Sequence, residues 1–264
     1  MHIVVCVKHI ADPEAPWVQF LIDGAELSVV PLPGVRWLMS PFDEQALEAA
    51  LRIRDAQDGV RVTALTLGAE SSRAALKHAL AMGADDGVLL CDPSFEGGDA
   101  WTTACAIAAA VHKLGHPGLV LTGRQSADWD GGVVGSGVAE LLDWPVLTFA
   151  SDVQLDRDEV RVERVVDEGI DTLVAALPAV VTVSNELGKP RIPNLRETMR
   201  ATRKPVQTWD ASDLGLQGAQ LSPRTQCTRV YAPVHERSCE FIHGDSARDI
   251  AAMLATRLRA ASLV

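Results

Sequence analysis

One loop in the first half of the chain combines the residue types and the spacing of a phosphate-binding site. Residues 122–142, TGRQSADWDGGVVGSGVAELL, follow an apolar run and contain Asp128, Asp130 and then four glycines. Glycine lets the backbone turn tightly and approach a ligand closely. A helix that begins near Val134 would direct its unpaired N–H groups and its positive dipole end at that ligand. Because the loop supplies neither a nucleophile nor a base, it predicts nucleotide binding rather than catalysis. A flexible loop with helix-capping acids is the alternative.

Other clusters of reactive residue types give weaker indications. His112 and His116 have the spacing of a zinc pair, but Gly115 and Pro117 interrupt the helix and no third ligand is near, so no metal site is predicted. No serine or histidine stands in a defensible catalytic order, and no catalytic residue is assigned. The basic cluster at 196–204 is interpreted as a solvated face, with use in an interface as the alternative.

Strands and helices alternate through the first half of the chain and would position the loop. The predicted strands are apolar and rich in β-branched residues, which is typical of strands buried on both faces. Four such repeats indicate a doubly wound, mostly parallel α/β sheet, in which ligands bind beyond the carboxyl ends of the strands. The predicted strands are 3–8, 60–67, 88–91 and 118–121, and the helices are 41–54, 71–82, 99–114 and a segment from about 134.

Two further segments are expected at the same edge of the sheet. Residues 6–9 lie at the end of the first strand, and 67–69 come after the second. Residues 40–44, SPFDE, open the first helix, and proline at the first helical position with acids behind it is common in ordinary helices. From physical chemistry alone, this segment is interpreted as structural.

The pattern changes at about residue 148. Short segments linked by charged turns predict a small antiparallel meander within 148–177 rather than another strand–helix repeat, and one apolar strand follows. The expected strands are 149–155, 159–167, 172–176 and 178–183.

The sequence pattern of the last quarter of the chain predicts an extended arm. Beyond Asn185 it is irregular until 245–263, which has the apolar periodicity of an amphipathic helix. A long extended segment that ends in a helix is expected to embrace a partner chain. We therefore predict an α/β nucleotide-binding unit at 1–195 and a C-terminal arm at 196–264.

Composition and charge limit the classes of partner. The 264 residues carry a net charge of −11, which gives little support to a nucleic-acid or anionic-membrane partner. No apolar stretch approaches the ~20 residues that span a bilayer, so membrane insertion is not expected. The N-terminus enters a strand pattern without the features of a signal peptide, and five scattered cysteines form no C-x-x-C pair. These features predict a cytoplasmic protein with reduced thiols.

Six segments carry a resemblance to one known family. In chain order they are IVVCVKHIADPE, SPFDEQALEAALRIRD, TALTLGAESSRAALKHALAMGADDGVLL, LVLTGRQSADWDGGVVGSGVAELLDWP, LPAVVTVSNELGKPRIPNL and TMRATRKP. They resemble the β subunit of electron transfer flavoproteins, a family that includes the FixA-type proteins. The similarity extends from residue 1 to about 216, and its number and order of matches make it specific.

The resemblance implies a Rossmann-like, adenine-nucleotide α-hydrolase-like fold and a heterodimer whose α subunit carries the redox-active FAD. In this family the β subunit holds AMP in most members and a second FAD in electron-bifurcating members, and it has no catalytic residues of its own. The interpretation of residues 41–43 therefore shifts toward function. The cofactor-binding residues carry over onto Cys6, Ser40, Pro41, Phe42, Asp43, Leu67, Asp128, Trp129, Asp130, Gly131, Gly132, Val133, Val134, Gly135 and Ser136.

The same resemblance assigns residues 185–195 to a recognition loop. Leu195, near Pro190 and Arg191, would insert into a pocket on a donor dehydrogenase, as an exposed apolar anchor. An ordinary linker leucine is the alternative. Electrons would pass from the donor to the α-subunit FAD and then to a quinone oxidoreductase-type acceptor.

The nucleotide loop departs from the common AMP-binding form of the family, which has three acids followed by Cys-Asn-Gln-Thr-Gly. The sequence at 128–135, DWDGGVVG, is closer to FixA-type and bifurcating members, which usually have a small residue where Trp129 stands. This tryptophan either stacks on a ring or fills the space of a second flavin. AMP is the favoured occupant, and a second FAD is the alternative. A third hypothesis is a stand-alone ATP- or AMP-binding sensor. The long C-terminal arm argues against it, because a monomeric sensor needs no such arm.

Overall fold

A nine-stranded sheet lies at the centre of the computed structural model, which describes residues 1–232 and 239–264. In chain order, the strands of these residues are β1 (His2–Cys6), β2 (His9–Ala11), β3 (Phe20–Asp23), β4 (Ser28–Pro31), β5 (Trp37–Met39), β6 (Arg61–Leu67), β7 (Asp86–Leu90), β8 (Leu119–Gly123), β9 (Val146–Asp156), β10 (Glu159–Val166), β11 (Gly169–Ala176), β12 (Ala179–Val183) and β13 (Val206–Trp209). The α-helices are α1 (Pro41–Ala56), α2 (Arg73–Met82), α3 (Ala100–Lys113), α4 (Val134–Leu142), α5 (Leu195–Ala201) and α6 (Ala247–Ala260).

Most of the central sheet is parallel, which confirms the predicted doubly wound α/β fold. Its strand order is β11-β10-β9-β12-β8-β1-β6-β7-β13. Every pair from β9 to β13 in this order is parallel, and only β10 and β11 add antiparallel. Strands β6 and β7 extend to one side of β1, whereas β8 and β12 extend to the other. The topological switch point, where such sheets bind ligands, therefore lies between β1 and β8.

Alternate residues of β1 face opposite sides of the sheet and divide the core into two layers. Ile3 and Val5 pack in a core with apolar residues of α1 and α2. Val4 and Cys6 pack in a second core with residues of α3 and α4. Because helices cover both faces, the central strands are apolar throughout, as the sequence indicated.

The predicted meander is present as β9, β10 and β11. Strand β9 begins at Val146, earlier than the expected residue 149, because its first residues pair with β12 in the parallel part of the sheet. Its later residues pair with β10 in the antiparallel part. The register of β9 and β12 shifts between Val181 and Val183, and Phe149 has a left-handed φ of 61° nearby. Strand β9 therefore joins the two kinds of sheet.

Residues between β1 and α1 form two small antiparallel sheets that the sequence analysis did not predict. Strand β2 pairs with β5, and β3 pairs with β4. Each strand has only three or four residues. Such short segments give too little periodicity to be distinguished from a loop.

The structure differs from the expected arm for the residues just after 195. Helix α5 packs on α2, and β13 extends the sheet of this chain by pairing with β7. Trp209 and Leu216 are buried beside α3. Helix α6 buries none of its residues, and residues 233–238 of the predicted arm lie outside the described residues. The packing of the arm on a partner chain stays a prediction. In residues 1–232 and 239–264, no helix is long and apolar enough to cross a membrane.

Candidate functional site

Helix α4 begins at Val134, as predicted, and backbone N–H groups of its first turn lack hydrogen-bond acceptors. The first hydrogen bond within the turn runs from the Gly137 N–H to the Val133 carbonyl oxygen over 2.9 Å. No described side chain caps this helix, so the N–H groups of Val134, Gly135 and Ser136 have no acceptor within the described chain. Together with the helix dipole, such groups form a binding site for an anion.

The loop before α4 turns through two residues with left-handed backbone. Asp130 has φ 50° and Gly132 has φ 63°. The Asp130 N–H donates to the Ser126 carbonyl over 2.9 Å, and its carboxylate accepts from the Gln125 amide over 2.8 Å. Trp129 remains 65% exposed. The loop thus folds back on itself and leaves an aromatic ring at the surface.

Gly135 brings the N-terminus of α4 close to the carboxyl ends of two strands. A Cβ at this position would lie 2.7 Å from Oγ1 of Thr122 and 2.7 Å from Cγ2 of Thr182. Both threonines are buried, in β8 and β12 respectively. The position of the free N–H groups therefore depends on the absence of a side chain at residue 135.

Lys8 lies at the candidate site, within the segment 6–9 that was expected at this edge of the sheet, although it was not assigned as a binding residue. Its ammonium Nζ lies 2.9 and 2.8 Å from the two carboxylate oxygens of Asp128 and links the end of β1 to the loop. The two side chains are 42% and 27% exposed. An exposed pair of this kind contributes about 0–1 kcal/mol, so Lys8 can exchange Asp128 for a ligand anion at little cost. Its position at the end of the predicted first strand was the available signal.

Asp43 joins α1 to the ends of the two strands at the switch point. Its carboxylate accepts hydrogen bonds from the backbone N–H of Lys8 over 2.8 Å and of Gly123 over 3.0 Å. The side chain is buried. A Cβ on Gly123 would lie 2.5 Å from the Asp43 carboxylate and 2.9 Å from the backbone carbon of Phe42. The contact between α1 and β8 therefore requires glycine at residue 123.

The other predicted cofactor-binding residues differ in how far they are buried around the contact between α1 and the ends of β1 and β8. Ser40 is fully buried, and its N–H donates to the Lys8 carbonyl over 2.9 Å while its Oγ accepts from the Ala127 N–H over 3.4 Å. Cys6 is buried, and burial raises the pKa of its thiol, so it is a neutral packing residue here. Leu67 ends β6 on the far side of β1. Exposed positions are Pro41, Asp128, Asp130, Gly131, Gly132, Val133 and Ser136, and half-buried ones are Phe42, Leu67 and Val134.

Protonation of Asp43 provides a test of this junction. Burial raises the pKa of its carboxyl to about 7, although the two N–H donors and the Lys8 ammonium act to lower it. The folded chain then holds this proton to a higher pH than the unfolded chain, whose carboxyl titrates at 3.8. The contribution of Asp43 to the free energy of unfolding should fall as pH rises from about 4 to about 7 and stay level above that.

Chemical denaturation of the wild type and of the non-titrating Asp43→Asn variant across this pH range measures the effect. The difference between the two proteins isolates Asp43 because the other titrating groups are shared. A difference that grows in favour of the wild type as pH rises would show that the pKa is lowered rather than raised.

Arg124 is a second cation of the site that sequence reasoning missed. Its guanidinium lies 5.2 Å from the ring centre of Phe42 and 5.7 Å from that of Phe149, within reach of a cation–π contact. Its buried Nε has no hydrogen-bond partner within the described structure. The residue follows β8 directly, within the glycine-rich segment, and this place in the sequence could have drawn attention to it.

The predicted recognition segment, 185–195, has exposed apolar side chains at its C-terminal end, whereas the residue just before them is bound to helix α1. Leu195 begins α5 and is 77% exposed, and Ile192 is 91% exposed. The Arg191 guanidinium instead binds the carboxylates of Glu48, at 2.7 Å, and Asp55, at 2.8 Å. Arg191 is thus occupied within the chain, whereas Leu195 is free to meet a partner. The recognition roles themselves stay predictions.

Metal-ligating side chains were compared across the part of the chain that the structure describes. Within residues 1–232 and 239–264, no group of three or more His, Cys, Asp or Glu side chains is placed to hold a metal ion. His112 and His116 contact each other, with their Nδ1 atoms 3.3 Å apart.

Comparison with known proteins gives consistent matches over most of the chain. The family described as "Electron transfer flavoprotein domain" matches residues 32–214. Subunit CarD of the caffeyl-CoA reductase–Etf complex of Acetobacterium woodii is 34% identical over 98% of both chains. The electron transfer flavoprotein subunit beta of Megasphaera elsdenii is 35% identical over 88% of both chains. Protein FixA of Azorhizobium caulinodans is 37% identical over 88% of this chain and 85% of its own.

Proposed function

Because this chain belongs to the electron transfer flavoprotein family, as a relative of its β subunits and FixA proteins, we propose that it holds one AMP in the crevice beside α4. The redox-active FAD sits in an α subunit, with which this chain forms a heterodimer. The β subunit itself supplies binding and docking surfaces rather than catalytic groups. Reduced cysteines fit a cytoplasmic location.

The free N–H groups at the start of α4 are the observation that carries the proposal. A 5′-phosphate placed there would accept hydrogen bonds from Val134, Gly135 and Ser136 and would lie at the positive end of the helix. Lys8 is close enough to the loop to pair with the same phosphate, since it already reaches Asp128 at 2.8 Å. The exposed ring of Trp129 offers an aromatic face to a base.

We further propose a docking site on this subunit and a route of electron transfer through the complex. A donor dehydrogenase docks on the segment 185–195, with Leu195 as its apolar anchor, and reduces the α-subunit FAD. The FAD then passes electrons to a quinone oxidoreductase-type acceptor. The exposure of Leu195 and Ile192 supports this docking role, because isolated apolar side chains at such exposure are suited to a pocket on a partner.

A second FAD in place of AMP is the other candidate function, as in electron bifurcation. Two observations favour it. One matched relative, which covers 98% of this chain, is a subunit of a caffeyl-CoA reductase–Etf complex. In addition, the unpartnered Nε of Arg124, between the rings of Phe42 and Phe149, is suited to an acceptor atom on a larger cofactor.

Replacement of Lys8 tests the phosphate assignment. Lys8→Gln should raise the dissociation constant of AMP about tenfold, because a charged hydrogen bond to phosphate contributes about 1.5–3 kcal/mol in part offset by release of Asp128. Adenosine, which has no phosphate, should bind the variant and the wild type equally. Titration calorimetry on the nucleotide-free heterodimer measures both constants.

Lys189→Gln is the control, since Lys189 is an exposed cation of the segment after β12. It should leave AMP binding unchanged. Equal losses of AMP and adenosine affinity in Lys8→Gln would place the phosphate elsewhere.

A further inference from the structure

One face of α1 carries the segment that precedes Leu195. Gln45, Glu48, Arg52 and Asp55 are spaced by three, four and three residues, so they lie along one side of the helix. All four contact residues 185–191 through hydrogen bonds or ion pairs. The contacts join parts of the chain that are about 140 residues apart in sequence.

Glu48 is the centre of these contacts. Its side chain is 7% exposed, and Oε2 accepts from the Arg191 Nε over 2.7 Å and from the Arg191 backbone N–H over 3.1 Å. Its Oε1 accepts from the Arg52 Nε over 3.0 Å. Burial alone would raise the pKa of this carboxyl, but the hydrogen bonds from Arg191 and Arg52 outweigh it and hold the pKa below its usual range. Glu48 is therefore a buried carboxylate with its acceptor sites filled.

The remaining contacts extend the attachment on both sides of Glu48. Arg52 donates to the Leu187 carbonyl over 3.1 Å, and Gln45 donates to the Asn185 and Gly188 carbonyls over 3.4 Å. Arg191 also pairs with Asp55 at 2.8 Å. The segment is thus fixed at several points before it reaches its exposed residues.

The chain is fixed again directly after these residues. Asn194 caps α5 in a capping box with Glu197, and the Lys77 ammonium donates to the carbonyl oxygens of Ala201 and Thr202 at the end of that helix. Ile192 and Leu195 are therefore held between an attachment to α1 and an attachment to α2. A preordered anchor loses less conformational entropy on docking than a flexible one.

We infer that Glu48 is a positioning residue for donor docking, which acts through Arg191 to hold the segment 185–191 on α1 so that Ile192 and Leu195 are presented in fixed positions. The inference rests on the proposed docking role of residues 185–195. It gives Arg191 the role of an attachment within the chain rather than of a contact to the donor.

Glu48→Gln tests the inference in the intact heterodimer. Glutamine keeps the size of the side chain but removes its charge and places an amide donor against Arg191. Hydrogen–deuterium exchange of amides in 187–195 should become about tenfold faster, while exchange in 122–142 stays unchanged. The KM for the heterodimer should rise about tenfold at unchanged kcat and FAD content. The assay uses the flavin-dependent dehydrogenase that reduces the wild-type heterodimer in the presence of its own substrate.

Four further variants separate the possible outcomes. Glu44→Gln, one turn earlier on α1 and paired with His78 rather than with the segment, should change neither readout. Arg191→Gln should reproduce Glu48→Gln and provides the test if that variant does not fold, and the double variant should be no worse than either single one. An unchanged KM in both single variants, when Leu195→Ala raises KM, would overturn the positioning role and leave the docking role intact. An unchanged KM in Leu195→Ala would overturn the docking role itself.

Discussion

Gly135→Ala is expected to raise the dissociation constant of AMP about tenfold or more and to lower the free energy of unfolding by about 1–3 kcal/mol. The added Cβ would lie 2.7 Å from Oγ1 of Thr122 and from Cγ2 of Thr182, both of which belong to strands and cannot move away easily. Relief of this overlap requires α4 to shift, and its free N–H groups shift with it. Titration calorimetry with AMP and urea denaturation measure the two effects.

Gly24→Ala, in the turn between β3 and β4 and outside the candidate site, is the control. Nothing lies within 4 Å of a Cβ built on Gly24, so this substitution should change neither quantity appreciably. A wild-type AMP affinity in Gly135→Ala, with the stability loss present, would separate the N-terminus of α4 from nucleotide binding and would contradict the proposed site.

Gly123→Ala is expected to have the largest effect on stability and to lower the free energy of unfolding by about 2–4 kcal/mol. The added Cβ would overlap with buried and backbone atoms that have no room to move. The new Cβ would lie 2.5 Å from the Asp43 carboxylate, 2.7 Å from Cβ of Phe42 and 2.9 Å from the backbone carbon of Phe42. The start of α1 must then move away from β8, and the hydrogen bond from the Gly123 N–H to Asp43 is lost. Denaturant midpoints of the two proteins give the difference.

Gly118→Ala, next to the opposite end of the same strand, is the control. A Cβ there would meet only Sδ and Cε of Met1, the end of a flexible and partly exposed side chain that can rotate away. This variant should lose less than about 1 kcal/mol. If the two glycine variants are equally stable, the contact between β8 and α1 does not hold the site together.

The sequence was sufficient to predict the parts of the fold that depend on local patterns. Apolar β-branched runs identified four parallel strands, and the glycine-rich segment located the start of α4 at Val134. Helix α5 was missed although a local signal exists, since Asn194 and Glu197 have the spacing of a capping box. Strand β13, with four residues at a sheet edge, has no comparable signal.

The contacts that assemble the candidate site could not be predicted because they join residues far apart in sequence. Lys8 and Asp128 are separated by 120 residues, Asp43 and Gly123 by 80, and Glu48 and Arg191 by 143. Periodicity reports which face of an element is buried, but not which side chains meet across elements. Arg191 illustrates the limit, because its pairing with two carboxylates of α1 is visible only in the fold.

Nucleotide analysis of the purified heterodimer tests the central claim most directly. The chain should be co-produced with its α subunit, and the nucleotides released by denaturation should be identified and counted. We predict one FAD and one AMP per heterodimer, with less AMP per FAD in a Gly135→Ala heterodimer that keeps its FAD. Two FAD and no AMP would replace AMP with a second flavin in this crevice. A stable monomer that binds ATP and no flavoprotein partner would contradict the account altogether.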